Sequence, residues 1–310
     1  MKQIYILLFC WLTVLTLRSQ TPSDAFIMSK GDICIAAGVQ YESWDHYWEG
    51  TLYRNNPNLG TVSTRSINAM AAYGLTKYLN VIGMLPPYIR TKASGGSLAG
   101  HRGLQDAALW LKYQPLHRSV GRGQLDAFIS AGGALPVSNY YPDYLPLSIG
   151  LKARTLGMKG MVYYFTGKRL YFGAQGGYTL RGDIRLERDF YFTGGNSLNT
   201  NRVDMPPVAE GSVTMGYYHG QLRTEVLYTA SNTLGGGDIR RNDMPFPSYN
   251  MDVQRLNWMM QYRFRFLTGL GLTANAAYTL QGRNMGRSVI GGAGLLYQFN
   301  LIKKTPSAGL

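Results

Sequence analysis

Eleven ionisable side chains recur at alternate positions of segments whose other face is apolar: Asp106, Lys112, Asp126, Lys152, Arg154, Arg181, Arg223, Glu225, Arg263, Arg265 and Arg283. Successive side chains of a strand point to opposite faces, so these groups point away from the greasy side. Lining an enclosed space, they would form a mainly basic wall that attracts anionic solutes. The plainer reading is an interior network of ion pairs and hydrogen bonds that fills a narrow barrel, and for most of these residues it is the favoured one. The surplus of Arg and Lys over three acids keeps the first reading open. An Asp buried in such a wall, such as Asp106, needs a cationic partner. A second set is aromatic: Trp44, Tyr47, Trp48 and Tyr53, then Phe190, Tyr191 and Phe192, then Phe246 and Tyr249. These form either an apolar cup for an aromatic or acyl ligand, or loops that fold over a mouth and pack on lipid headgroups.

Catalytic constellations are scarce. A lipase-type barrel needs a Ser nucleophile within reach of a His base. Of four histidines, only His117 has a Ser close by, at Ser119, in an expected turn and with no third group suggested to orient it. There is no His-Glu-x-x-His, no cysteine pair and no Asp-rich calcium loop, and Gly235-Gly-Gly237 is not followed by Lys-Ser/Thr. The expectation is a protein that is not an enzyme, with no cofactor and no metal.

The elements that would position these groups follow from composition and periodicity. The 310 residues are 45% hydrophobic and only 15% charged, with 38 Gly and 23 Tyr. Low charge argues against disorder, and the Gly and Tyr content suits a β-rich wall facing lipid. Residues 1–20 read as a secretory signal peptide: Lys2, an apolar run from Ile4 to Leu17, then polar Arg18 to Pro22 with small Ser19 at the expected cut. The alternative, a membrane anchor, is disfavoured because the run is shorter than the ~20 apolar residues a spanning helix needs. Cys10 lies inside this run without a lipoprotein-type setting. Beyond residue 20 no run is long and apolar enough to span as a helix, so a membrane form must be a closed barrel. The formal charge of +14 falls to +12 without Lys2 and Arg18. On an exported chain that surplus points to lipopolysaccharide, anionic lipid or acidic solutes rather than nucleic acid. Cys34 alone cannot make an internal disulfide.

Period-2 alternation predicts about twelve strands, each near the ~9–11 residues that cross a bilayer at a tilt. They fall at 32–44, 64–75, 80–91, 103–114, 123–136, 147–164, 169–182, 207–219, 221–232, 251–265, 269–283 and 287–299. The sixth is long, with Gly157 and Gly160 as candidate bulge positions. Pro86 and Pro87 cannot donate ladder bonds and are expected near a strand's outer end. Connectors alternate short and long, as periplasmic turns and extracellular loops do. The short ones are 76–79, 166–168, 219–220 and 267–269, with a longer one at 115–122. The long ones are 45–63, 92–102, 137–146, 183–206 and 233–250, and 284–286 breaks the trend. Tyr113, Tyr164, Tyr171, Tyr217, Tyr297 and Phe299 are expected as an interfacial belt above the short turns, near basic Lys77, His117, Arg118, Arg122, Lys168 and Arg169. The expected fold is all-β: a transmembrane antiparallel up-and-down barrel in one domain, 21–310. About ten residues, Thr21 to Lys30, precede its first strand, and no plug domain is expected.

Three stretches carry a resemblance: Tyr73-Gly-Leu-Thr-Lys-Tyr-Leu-Asn-Val-Ile-Gly-Met-Leu-Pro-Pro-Tyr88, Gly103-Leu-Gln-Asp-Ala-Ala-Leu-Trp-Leu-Lys-Tyr-Gln114 and Ala131-Gly-Gly-Ala-Leu-Pro136. Together they resemble the outer-membrane family named for the meta-pathway of phenol degradation, which sits near the fatty-acid and aromatic-hydrocarbon channels. The clear match covers 64–136. The resemblance implies a barrel that takes up small, often apolar, compounds. The chain departs from it in the eleven residues after Phe299 and in lacking an N-terminal hatch like that of the fatty-acid channels. The expected function is thus an outer-membrane channel for small hydrophobic or amphipathic molecules, exported to the cell outer membrane. Its expected partners are outer-membrane lipid and lipopolysaccharide, and a small apolar or anionic solute. The alternative is a structural or assembly barrel, such as a subunit of a secretion or surface complex.

Overall fold

A computed structural model describes residues 21–193, 196–240 and 245–302. The expected signal peptide, with Cys10, lies outside the described residues. Twelve long strands make up the wall: β1 Asp32–Trp44, β2 Val62–Gly74, β3 Leu79–Ala93, β4 Asp106–Val120, β5 Gly123–Pro136, β6 Thr155–Phe165, β7 Leu170–Arg181, β8 Val208–His219, β9 Leu222–Thr233, β10 Asp252–Arg263, β11 Leu270–Arg283 and β12 Val289–Asn300. Each pairs antiparallel with its chain neighbours, and β1 pairs with β12 from Asp32↔Asn300 to Ser43↔Val289, which closes the ring. Closure gives every strand a partner on both sides, the condition for crossing lipid without unpaired backbone. Short turns lie at one end, loops at the other.

Alternation sets the faces. On β1, Ile35, Val39 and Tyr41 are exposed on the outside, while Cys34 is buried inside. Exposed Leu109, Leu111 and Tyr113 on β4 alternate with inward Trp110 and Lys112. Tyr171 departs from the expected outer belt: it is fully buried and points inward. Its cross-strand partner is Gly216, and a Cβ there would lie 2.0 Å from the Tyr171 ring. The glycine is what lets a large ring lie flat against the inside of the wall.

Four sequence expectations need correction. Residues 147–154 are not strand. Lys152 has a positive φ of 58°, and Ser148 closes a small turn on Gly150. Leu147, Ser148, Ile149 and Ala153 are buried, so the segment is a loop folded back on the barrel rather than a strand with alternating faces. The sixth strand, β6, has no bulge at Gly157 or Gly160; its pairing runs unbroken on both sides. The connector at 115–122 is a tight turn at Gly121–Arg122, because β4 continues to Val120. Lastly, Pro86 and Pro87 sit in the middle of β3. The β2–β3 register shifts between Ile67 and Ala69, and β3–β4 rungs stop at Met84↔Ala108. Pairing resumes at Tyr88↔Leu104, in the short strand Arg102–Leu104. Across this step the buried positions change parity, from Asn80 and Ile82 to Ile89 and Thr91, as a one-residue slip requires.

Candidate functional site

The lumen is occupied at its turn end by residues ahead of β1, Thr21 to Met28, while Ser29 and Lys30 are exposed. Thr21 to Met28 do not trail outside the barrel; they fold into it. The sequence leads to no expectation of a separate plug domain, and this segment is too short to be one, yet it occupies the lumen. Ala25 is fully buried, and Asp24, Phe26 and Met28 are nearly so. The Asp24 carboxylate shapes the segment by accepting from the backbone N–H of Thr21 (2.8 Å) and of Phe26 (3.2 Å), the short-range bonding that suits Asp to turns.

The wall supplies a fitted seat. Lys112 on β4, with no side-chain exposure, donates to Asp24 Oδ1 (2.5 Å) and to the carbonyls of Asp24 (2.6 Å) and Thr21 (3.3 Å). All three bonds go to the plug. Ser130 on β5 donates to the Pro22 carbonyl (2.8 Å), and Tyr163 on β6 to the Ser23 carbonyl (2.9 Å). Phe26 enters an aromatic pocket, with ring centroids 5.6 Å from Phe165 and 6.0 Å from Tyr171. The Arg223 guanidinium lies 4.3 Å from the Phe26 ring centroid, a cation–π contact. Arg223 also pairs with Glu225 (2.9 Å) and approaches Asp24 (3.9 Å). The Tyr171 hydroxyl donates to Glu225 and accepts from Arg223 Nε. Each buried charge therefore meets an opposite one, as burial demands. A cavity of about 370 Å³ borders the plug's stem, lined by Ile27, Met28, Ser29, Lys77, Tyr78 and His117 among others.

The loop end is closed differently. Ile184, Leu186, Tyr191, Val203, Met205, Ile239, Phe246 and Tyr249 pack with Ala153 into one apolar cluster. Tyr191 stacks on Phe246 at 5.0 Å. Polar ties anchor this cap to the rim: Arg283 to Asp238 twice at 2.7 Å, Asn284 to Asp238 and the Asn250 carbonyl, and Arg181 Nε to the Pro206 carbonyl (2.6 Å). The hydrogen bonds from Arg283 hold Asp238 below the usual carboxylate range. Tyr140 donates to Asp106 (2.6 Å) and accepts from the Lys152 backbone (2.9 Å); burial, reinforced by Asp106, pushes its phenol up, so it stays a donor. Between the closures there is open space. Met84 and Met259 face inward yet are 40% and 37% exposed.

Of the lumen candidates, Lys112, Arg223 and Glu225 converge on the plug. Asp126 is buried at the turn end against His117 (2.7 Å) and Gln124. Arg181 and Arg283 hold loops, and Asp106 reaches the loop residue Tyr140. A register shift at Gln254/Arg255 lets Leu280 bulge, so Gly282 rather than Arg283 faces in, under Trp48. Arg263 ends β10. Three candidates are misplaced as wall residues: Lys152 and Arg154 lie in the loop before β6, and Arg265 lies exposed in the turn after β10. Among the aromatics, Trp48, Tyr191 and Phe246 are buried, Trp44 and Tyr47 half-buried, and Phe190 exposed, so they do not form an open cup. Sequence reasoning missed Asp24, Phe26, Ser130, Tyr163 and Phe165. Asp24 orients nothing catalytic, and although Asp126 engages His117, no hydrogen bond joins His117 to exposed Ser119 among the described residues.

No family model matches the chain, and no curated protein does. Among solved structures it is similar to the COG4313 outer membrane channel from Pseudomonas putida F1, at a TM-score of 0.69 and 13% identity, over 91% of this chain and 100% of that one. Weaker likenesses reach the NanC porin (TM-score 0.47, 10% identity, 85% and 98% covered) and the CymD monoaromatic hydrocarbon channel (0.42, 10%, 88% and 90%). The first match establishes the fold, a closed twelve-strand antiparallel barrel of the outer-membrane kind; the weaker two add nothing to it.

Proposed function

We propose that this chain is an outer-membrane channel for small hydrophobic or amphipathic molecules, closed at rest by its own segment Thr21–Met28. One observation carries the reading. The wall builds a seat, centred on Lys112 and Arg223, for the segment that leads into β1, and open lumen lies beyond that seat. A channel needs a path that exists but does not leak, and a short tethered plug supplies both. The motif resemblance over residues 64–136 supports the same reading, as does the fold shared with the Pseudomonas channel. Exclusion of both mouths favours the alternative, a structural or assembly barrel, and one experiment separates the two. Liposomes carrying the protein are assayed for solute uptake against liposomes carrying the Asp24→Ala/Phe26→Ala variant. The channel reading expects the variant to pass small amphipathic solutes at least about tenfold faster, since a ligand-free gate of ~1.4 kcal/mol already makes that difference. No flux of any solute through either form leaves the structural barrel.

A further inference from the structure

The outer wall carries an arrangement that the lumen does not explain. Arg65 on β2, Arg90 on β3 and Arg102 on the short strand beside it are direct cross-strand neighbours, in the registers Arg65↔Arg90 and Arg90↔Arg102. All three are exposed and share the outward face. Lys92 lies two residues beyond Arg90 on that face and is also exposed. Directly opposed residues of a sheet sit roughly 5 Å apart, and like charges so placed destabilise the pairing. Among the described residues none of the three arginines forms a salt bridge, and Arg65 meets the Tyr41 ring at 5.9 Å. An anion shared between three like charges in one cross-strand row would relieve their repulsion.

The row also has a definite height. One step toward the barrel's middle on the same strands is a second cross-strand row, Ile67↔Tyr88↔Leu104, again outward, with exposures of 58%, 40% and 44%. Apolar side chains at that level meet acyl chains, and the arginines stand just above them, near the loop end. The same patch thus offers grease below and fixed positive charge above.

We infer that this patch on β2 and β3 binds a phosphorylated lipid of the outer leaflet, its phosphates bridging Arg65, Arg90 and Arg102 and an acyl chain lying on Ile67, Tyr88 and Leu104. Arginine suits the task because its planar fork grips phosphate through paired hydrogen bonds. Free phosphate offers the same head chemistry without the chain, so the two sources separate by experiment. The inference rests on the outer-membrane reading, though not on transport.

The test uses the purified full chain in detergent, with thermal unfolding and lipid titration as readouts. The ligands are bisphosphorylated lipid A, the same lipid with its phosphates removed, and inorganic phosphate. Bisphosphorylated lipid A should raise Tm; the dephosphorylated lipid and inorganic phosphate should not. The variant Arg65→Gln/Arg90→Gln/Arg102→Gln should bind lipid A at least about tenfold more weakly, the loss of more than one charge-assisted contact. Without lipid, the variant should unfold at an equal or higher temperature than the wild type, because repulsion has been relieved. A merely structural role for the arginines predicts a lower one and overturns the inference. Equal binding by the variant, or by dephosphorylated lipid, also overturns it. An equal response to inorganic phosphate replaces the lipid site by a simple anion site. Solute flux that fails while lipid binding persists counts against the channel alone.

Discussion

The two ends of the lumen differ in how much of their hold is polar, since the plug adds buried ion pairs to an aromatic pocket around Phe26 whereas the cap is mainly apolar. At the turn end, a short segment is held by an aromatic pocket around Phe26 and, in addition, by buried charge and directed hydrogen bonds: Lys112 on Asp24, Arg223 on Phe26, Ser130 and Tyr163 on backbone carbonyls. At the loop end, long loops are held by an apolar cluster around Tyr191, Phe246 and Tyr249, with polar ties only at the rim. Directed bonds fail together once one buried partner is lost, because the other is left uncompensated. Apolar packing fails by degrees, in proportion to the atoms removed. A closure of the first kind suits a device with two positions, and one of the second kind suits a fixed lid.

The largest test of this contrast is Asp24→Ala. It strands Lys112, which has no side-chain exposure, and removing one partner of a buried pair costs about 3–5 kcal/mol. Hydrogen exchange should lose most of its protection at residues 23–26, while 184–186 and 203–205 keep theirs; retained protection at the plug would refute the latch. Next comes Phe246→Ala, expected to cost about 3 kcal/mol at the cap. Limited proteolysis should then cut within the loops 182–207 or 234–251, with plug exchange unchanged. Coupled loss at both ends would mean that the closures form a single unit. A smaller effect, about 1–3 kcal/mol, is expected from Gly216→Ala, whose new methyl would overlap the buried Tyr171 ring and so disturb the Phe26 pocket. It should show as faster exchange at Phe26 and not at Ile184. The smallest is a pH effect at the cap. Because Arg283 holds Asp238 below its ordinary value, the tie is present at neutral pH and persists as the pH falls to roughly 4. It is lost only on further acidification through the lowered value. Exchange at Ile239 that rises already between pH 7 and 5 would contradict this.

The barrel was legible and the plug was not, for one reason. A strand announces itself locally, because alternation is a property of neighbouring residues. Two spans, 32–44 and 123–136, coincide with β1 and β5. Lys112, Arg223 and Glu225 could be placed on the inward face by the same reasoning. Thr21–Lys30 has no periodicity, and its partners lie far along the chain: 88 residues separate Lys112 from Asp24, and 140 separate Tyr163 from Ser23. Nothing in ten residues states which distant groups will receive them. Alternation also misled at 147–154, where apolar residues at alternate positions belong to a loop in which Leu147, Ser148 and Ile149 are buried consecutively. The prolines of β3 show the reverse error. Pro86 and Pro87 were expected at a strand end because they cannot donate, and the chain instead tolerates them mid-strand by shifting register around them.

The plug's position has a consequence for how the ring is made. The polar and aromatic partners of Thr21 to Phe26 come from β4, β5, β6, β7 and β9, whereas the ring is sealed between β1 and β12. An arched sheet that is not yet sealed already offers the whole docking surface for Thr21 to Phe26. The segment can lie down on that surface as on an open palm, and no loose end has to be threaded through a finished hoop. Met28 is different: Cys34 and Leu296, from either side of the seam, are among its neighbours, so it is enclosed only when the last rungs zip shut.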